Sequence, residues 1–292
     1  VLRHVKVAGR VDDPANTTSS AMAQLMCGRE ILPPARGPST PGATVLTLDG
    51  ISTSGHLGTA LRDVSLSVRE GEILGIAGVS GNGQRALADV ISGMLAPKAG
   101  AMTIAGKAVA QFSPRAVQAL GLGRIPEDRM TTGLVTNLPL ADSMVLPRIG
   151  TEAFSRKGLL NPSAIRAFAE EQIKAYDIRC PGPMVRAGAL SGGNLQKALL
   201  ARELAFDPKV LIVSQPTRGL DIGAARFIHE KFLAMRAKGC GIIVIGEDLE
   251  ELLMLSDRIA VMYEGRIAGT LAGADATVAR LGLMMTGVEG RA

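Results

Sequence analysis

Three short stretches of the sequence hold the residue types that phosphate chemistry uses. GVSGNGQR (78–85) has glycines at the first and sixth places of the phosphate-loop pattern G-x-x-x-x-G-K-[ST]. The backbone N–H groups of Gly78, Ser80, Gly81, Asn82 and Gly83, with a helix N-terminus behind them, suit a polyphosphate. The pattern then fails, with Gln84 in the lysine's place and Arg85 in the place of the hydroxyl that would hold Mg2+. An ordinary glycine turn fits this stretch equally well. In ALSGGNLQ (189–196), Leu190 leads into Ser191, Gly192, Gly193 and Asn194, which offer a hydroxyl and N–H donors at the head of a helix. A plain helix cap would read the same way. In VLIVSQPTRGLD (210–221) an apolar run ends on Ser214 and Gln215, where a nucleotide-hydrolysing strand would end on carboxylates, and Asp221 follows.

Elements that could position these residues follow from hydrophobic period. VLTLDGI (45–51) and ALRDVSLSVREGE (60–72) alternate as half-exposed strands. EILGIAGVS (72–80) reads as a buried strand entering the glycine turn, and GQRALADVISGML (83–95) has helical spacing at Leu87, Val90, Ile91 and Met94. NPSAIRAFAEEQIKAYDI (161–178) predicts a helix with Asn161 as N-cap, Pro162 in the first turn and a core stripe of Ile165, Phe168, Ile173 and Tyr176. LQKALLARELA (195–205) is a further helix, and KVLIVS, GIIVIG and RIAVMYEG (209–214, 241–246, 258–265) are strands. Alternation of strand and helix across 70–265 predicts an α/β domain with a mainly parallel sheet.

Composition narrows the class. Aromatics are only 3% and Trp is absent, so the core must be aliphatic. The net charge is +5, yet Lys and Arg are spread along the chain without a basic run or interleaved aromatics, which argues against nucleic acid. No apolar run approaches the roughly 18 residues needed to cross a bilayer, and VLRHVKVAGR lacks the apolar core of a signal peptide. Cys27, Cys180 and Cys240 are scattered without metal-ligand spacing, so reduced thiols are expected.

Residues 33–43, rich in Pro and Gly, read as a linker. Before them, residues 5–30 echo residues 265–289, with Met26-Cys27-Gly28-Arg29-Glu30 answering Met285-Thr286-Gly287-Val288-Glu289. Either Gly/Ala-rich text matches by chance, or one domain ending occurs twice. In the second case residues 1–32 are the end of a preceding copy and 44–290 are the second.

In order and spacing, the motifs resemble the ATP-binding cassette family over roughly residues 44–289. LSGGN (190–194) looks like the family signature, VLIVSQ (210–215) falls on the Walker B strand and RGLD (218–221) on the D-loop. RIPEDR (124–129) falls on the Q-loop, and SDRIAVMYEGRI (256–267) on the strands after the switch histidine. PEDR, SGGN, PTRGLD and LMMTGVE resemble the tandem ATPases of bacterial sugar and nucleoside importers, and GNGQ with SQPTRGLD leans to the nucleoside branch. The implied fold is an α/β, P-loop NTPase-like cassette with a mainly parallel core sheet, an antiparallel β subdomain and a helical subdomain near 130–190.

The resemblance implies two composite ATP sites between paired cassettes, each completed by the signature of the opposite one. Carried over residue by residue, this chain departs at most of its own positions. Gln84 and Arg85 replace the Walker A Lys and hydroxyl, Ser214 the Walker B Asp, and Gln215 the catalytic Glu. Glu127 stands at the Q-loop Gln and Glu247 at the switch His, while His56 is the only candidate for adenine stacking. The signature (Ser191, Gly192, Gly193) and the D-loop Asp221 remain. The expected ligands are therefore ATP, with Mg2+ at the partner cassette's site. The expected partners are a preceding nucleotide-binding domain of the same protein, two transmembrane permease subunits and, through them, an extracellular substrate-binding lipoprotein. That implies the cytoplasmic face of the cell membrane. A non-catalytic regulatory module is the alternative expectation.

Overall fold

A computed structural model of the chain describes residues 2–3, 6–7, 17, 34, 36–55 and 58–287. Cys27, His56 and nearly all of the N-terminal half of the internal echo lie outside them.

The elements run in chain order as β1 (Thr44–Ser52), β2 (Val64–Arg69), β3 (Ile73–Ala77), α1 (Gln84–Ile91), β4 (Ala99–Ile104), β5 (Lys107–Ala108), α2 (Pro114–Ala119) and β6 (Leu122–Ile125). After these come α3 (Leu140–Val145), α4 (Pro162–Ala175), α5 (Gly192–Leu204), β7 (Val210–Ser214) and α6 (Ile222–Ala237). The chain continues with β8 (Gly241–Gly246), α7 (Leu249–Leu255), β9 (Arg258–Tyr263), β10 (Arg266–Ala272) and α8 (Val278–Met285).

The core sheet has six strands in the order β10-β9-β3-β8-β7-β6. β9, β3, β8, β7 and β6 are mutually parallel, and β10 is an antiparallel edge. A second, antiparallel sheet has the order β2-β1-β4-β5. The apolar runs of the central strands are explained by burial on both faces. Ile73, Leu211, Val213, Ile242 and Val244 pack with Leu140, Met144 and Leu199 of the helices. Their neighbours Leu74, Ile76, Val210, Ile212, Ile243 and Ile245 pack instead with Leu87 and Val90 of α1 and with Leu46 and Leu48 of β1. Three of the aromatics gather where α4 meets α5: Phe154 lies edge-on to Phe168 at 5.2 Å, and Phe168 stacks on Phe206 at 5.6 Å.

Two elements are shorter than their hydrophobic patterns predict. α1 ends at Ile91 because Gly93 turns the chain at φ +70°, so close to Ser113 that a Cβ there would lie 2.6 Å from its backbone. The strand predicted from residue 60 starts only at Val64. The expected cap of α4 is present: the Asn161 side chain accepts from the Ala164 N–H at 3.2 Å. The linker-like stretch is docked on the domain through Gly37 O to Arg236 and the Ser39 hydroxyl to Gly71 O at 2.6 Å. Cys240 is buried, and burial pushes its thiol pKa up to about 12, so it serves as a small apolar side chain. No helix of the described residues is long and apolar enough to cross a membrane.

Candidate functional site

Parallel register brings four strand ends level at one edge of the core sheet. Gly246 of β8 pairs with Ala77 of β3, Ile245 with Ser214 of β7, and Val213 with Ile125 of β6. The loops leaving these strands begin at Gly78, Gln215, Glu247 and Pro126, so most of the singled-out residues lie at the C-terminal edge, where ligands bind in open α/β sheets.

The 78–83 loop wraps the N-terminus of α1. Gly81 (φ +93°) and Gly83 (φ +106°) take the left-handed conformations that the turn requires. Asn82 braces it from outside, its side-chain oxygen accepting from Glu264 N at 3.0 Å and its carbonyl from Gly265 N at 3.0 Å. Thr59 donates its hydroxyl to Gly81 O. Ser80 is exposed. Gln84 is nearly buried and folded back over the start of the loop. Its Nε2 donates to Val79 O at 3.0 Å, and a Cβ on Gly78 would sit 2.5 Å from that nitrogen. Arg85 points into solvent at 85% exposure, 3.9 Å from the Asp89 carboxylate, which also receives Arg124 at 3.0 Å.

At the end of β7, Ser214 is half-buried and Gln215 adopts φ +49°, its N–H donating to Ile245 O at 2.8 Å. The positive φ is uncommon outside glycine and marks a turn held in place by its surroundings. Glu247 is exposed beyond β8, while the next residue, Asp248, caps α7 through Glu250 N and Glu251 N. Asp221 caps α6 through Ala224 N at 2.8 Å.

Glu127 is not isolated: it forms an ion pair with Arg218, just before Asp221. Two residues later, Arg129 donates to Arg218 O and, at 3.4 Å, to Gly192 O at the head of α5. Burial pulls the Arg129 guanidinium below its usual pKa, opposed by the neighbouring Asp128 charge. Asp128 itself is held below the usual carboxylate range, first by the Thr131 hydroxyl and then by the Thr131 and Met130 N–H groups. The structure thus ties the 124–129 segment, the 218–221 segment and Gly192 together. Among the described residues no hydrogen bond or ion pair joins the 78–85 loop to 190–194, so the singled-out residues form two separate groups.

Ser191 and Gly192 are exposed at the start of α5, and Leu190 is buried beneath them. Asn194 reaches back over this turn to Ser191 Oγ at 2.9 Å.

Sequence reading missed a buried cluster behind the 215–221 turn. Glu251 Oε1 accepts from the Thr217 hydroxyl at 2.7 Å and lies 2.6 Å from His229 Nε2. A histidine within an otherwise helical stretch and a glutamate within an acidic one gave no local sign of pairing. The Glu127–Arg218 pair was equally hidden, because its partners stand 91 positions apart.

The chain is 40% identical over 277 residues to the guanosine import ATP-binding protein NupO of Bacillus subtilis, covering 94% of this chain and 54% of that protein. It is also 40% identical over 291 residues to the glucose import ATP-binding protein TsgD13 of Haloferax volcanii, covering 98% of this chain and 53% of that protein. The chain therefore spans about half the length of these curated relatives. A solved structure titled as the ATP-binding subunit of an ABC transporter superposes with a TM-score of 0.67 at 21% identity, over 83% of this chain and all of that one, which supports the cassette fold. The ABC transporter family model matches residues 61–218, more than half of the chain, including the glycine loop, the signature turn and the end of β7. The chain belongs to the ABC transporter ATPase family.

Proposed function

We propose that this cassette works as the second of a tandem pair in a nucleoside importer. In this role it does not hydrolyse ATP at its own glycine loop but completes the ATP site of the preceding cassette with Ser191, Gly192 and Gly193. The observation that carries the proposal is an exposed signature turn beside a glycine loop whose chemical groups are missing.

The groups around that loop do not fit Mg-ATP hydrolysis. Magnesium in such sites rests on one or two carboxylates or hydroxyls plus phosphate oxygens. Here Arg85 is turned to solvent, and the strand end offers Ser214 and Gln215, neither ionised. Gln84 is engaged with Val79 O and supplies no charge to a phosphate. Gln215 can orient a water but cannot take its proton. Glu247 adds negative charge at the same sheet edge, while the Glu127 carboxylate is engaged by Arg218. Phosphoryl transfer depends on positioning and on cancelling charge, and loss of one such contributor costs about 10²–10³ in rate.

The signature turn retains its hydroxyl and its exposed helix start, with a dipole that favours an anion. The partners in this proposal are the preceding cassette, two permease subunits and, beyond them, a substrate-binding lipoprotein, with the chain docked at the cytoplasmic face of the membrane. NupO's guanosine and the GNGQ and SQPTRGLD motifs favour nucleosides, whereas TsgD13, at equal identity, favours a monosaccharide importer as the second reading.

The test is ATP turnover of the full-length protein in its permease complex. Ser191→Trp should lower turnover by about 10²-fold or more, while Gln215→Ala leaves it unchanged. Full turnover in the Ser191 variant would overturn the proposal.

A further inference from the structure

We propose that Asn194 is a positioning residue that holds the Ser191 hydroxyl as a hydrogen-bond donor toward an anion lying outside this chain. The inference rests on the proposed role of Ser191 at the preceding cassette's ATP.

The argument begins with what Ser191 leaves undone. It occupies the N-cap of α5, yet its side chain accepts no bond from the helix backbone. Ser113, Asn161, Asp221, Asp248 and Thr277, at the N-caps of other helices, all accept from N–H groups of the turn they cap. A serine that caps its helix stabilises it, so the missing bond has a local cost.

Asn194 explains the missing cap. Its Nδ2 donates to Ser191 Oγ at 2.9 Å, and its Oδ1 accepts from the Arg179 backbone N–H at 2.9 Å. A backbone N–H can only donate. The Arg179 contact therefore fixes which end of the amide faces it, and the NH2 end must face Ser191. With its oxygen accepting from Asn194, the Ser191 hydroxyl has its own hydrogen free to donate outward. The first-turn N–H groups of α5 stay open as well, because the hydroxyl is held away from them. Arg179 precedes Cys180 in the loop after α4, so the contact also anchors the turn to the helical layer.

Aspartate and alanine at 194 separate this role from a merely structural one. Asn194→Asp keeps an acceptor for Arg179 N–H but turns a donor into a second acceptor. The Ser191 hydroxyl would then donate to the carboxylate and face the anion with its oxygen. Asn194→Ala removes both bonds and frees the hydroxyl to rotate. A positioning role predicts that Asp is the more damaging change to catalysis, whereas a structural role predicts Ala.

The experiment measures ATP turnover of the full-length protein in its permease complex, with thermal unfolding of each variant as a folding control. Ser191→Ala should lower turnover by about 10²-fold, Asn194→Asp by a similar factor and Asn194→Ala by about tenfold or less. In a Ser191→Ala background, Asn194→Asp should cause no further loss, which separates hydroxyl orientation from simple charge repulsion. Wild-type turnover in Asn194→Asp would overturn the inference, as would an equal further loss in the double variant or a deeper loss in Ala than in Asp. Wild-type turnover in Ser191→Ala would instead overturn the proposed role of Ser191.

Discussion

Gln84 holds the glycine loop through a neutral side chain, and in the proposed role that leaves the loop without a charged phosphate contact. It stands where a lysine would reach phosphate, and its amide instead closes onto Val79 O at 3.0 Å beside Gly78. The neutral amide satisfies a loop carbonyl, so the turn keeps its shape without a ligand's charge. A lysine there would offer a charge-assisted contact worth about 1.5–3 kcal/mol to a phosphate, equivalent to roughly 10–100-fold in affinity. In the proposed role it would not by itself give hydrolysis, because Ser214 and Gln215 supply no carboxylate for Mg2+ and no base. Gln84→Lys is therefore expected to tighten ATP binding by about tenfold or more in a calorimetric titration, with no Mg-dependent turnover gained at this loop. Turnover gained by that change alone, in a protein whose other site is blocked by Ser191→Trp, would contradict the account of Ser214 and Gln215.

At the scale of elements, α6 and α7 are joined beneath the 215–221 turn by the Glu251 carboxylate. Thr217 and His229 both depend on it, and Glu251 and His229 are 6% and 7% exposed. Glu251→Ala would leave the buried His229 ring and the half-buried Thr217 hydroxyl without this partner, at about 1–3 kcal/mol for a group unrelieved by water. The expected loss is about 2–4 kcal/mol in a denaturant unfolding series, with Glu251→Gln losing less because an acceptor oxygen remains. Equal stability of the alanine variant would show that water satisfies both groups. What could be read in advance follows the same division between local and distant. β3, the glycine loop and α1 were legible because an apolar run, left-handed glycines and a helical stripe are neighbours in sequence. β7 and β8 were legible because strands buried on both faces stay apolar throughout. The order of strands in the core sheet was not, since β3 lies between β8 and β9, both far along the chain. The end of α1 was hidden because Ser113, over which Gly93 turns, is supplied by tertiary packing. Of the candidate site, residue types were visible and conformations were not, because tertiary packing sets the fold of Gln84 onto Val79 and the pairing of Glu127 with Arg218.

At the scale of the whole molecule, no hydrogen bond among the described residues joins the two candidate groups, and Arg129 bridges the segments nearest the signature. It leaves the loop after β6 and donates to Gly192 O at the start of α5 and to Arg218 O before α6. Glu127 holds the Arg218 side chain from the other direction. Three segments distant in sequence thus share one guanidinium, whose rigid planar fork holds two carbonyls in a fixed geometry that a compact ammonium on a flexible stem does not impose. Below this contact, α5 is fixed to the core by buried Leu195 and Leu199, which do not depend on Arg129. Loss of the guanidinium should therefore loosen the ends of these segments without melting the sheet. Local opening is what native-state amide exchange measures. Arg129→Ala is expected to speed exchange at the hydrogen-bonded amides of Leu195, Arg218 and Leu220 by about tenfold, equivalent to roughly 1.4 kcal/mol of local stability, while β3, β7 and β8 keep their protection. Arg129→Lys should fall between wild type and alanine. A uniform loss of protection through β3, β7 and β8 would mean that Arg129 supports the global fold, and unchanged exchange at Leu195 would mean that the hydrophobic seat of α5 alone sets the pose of the signature turn.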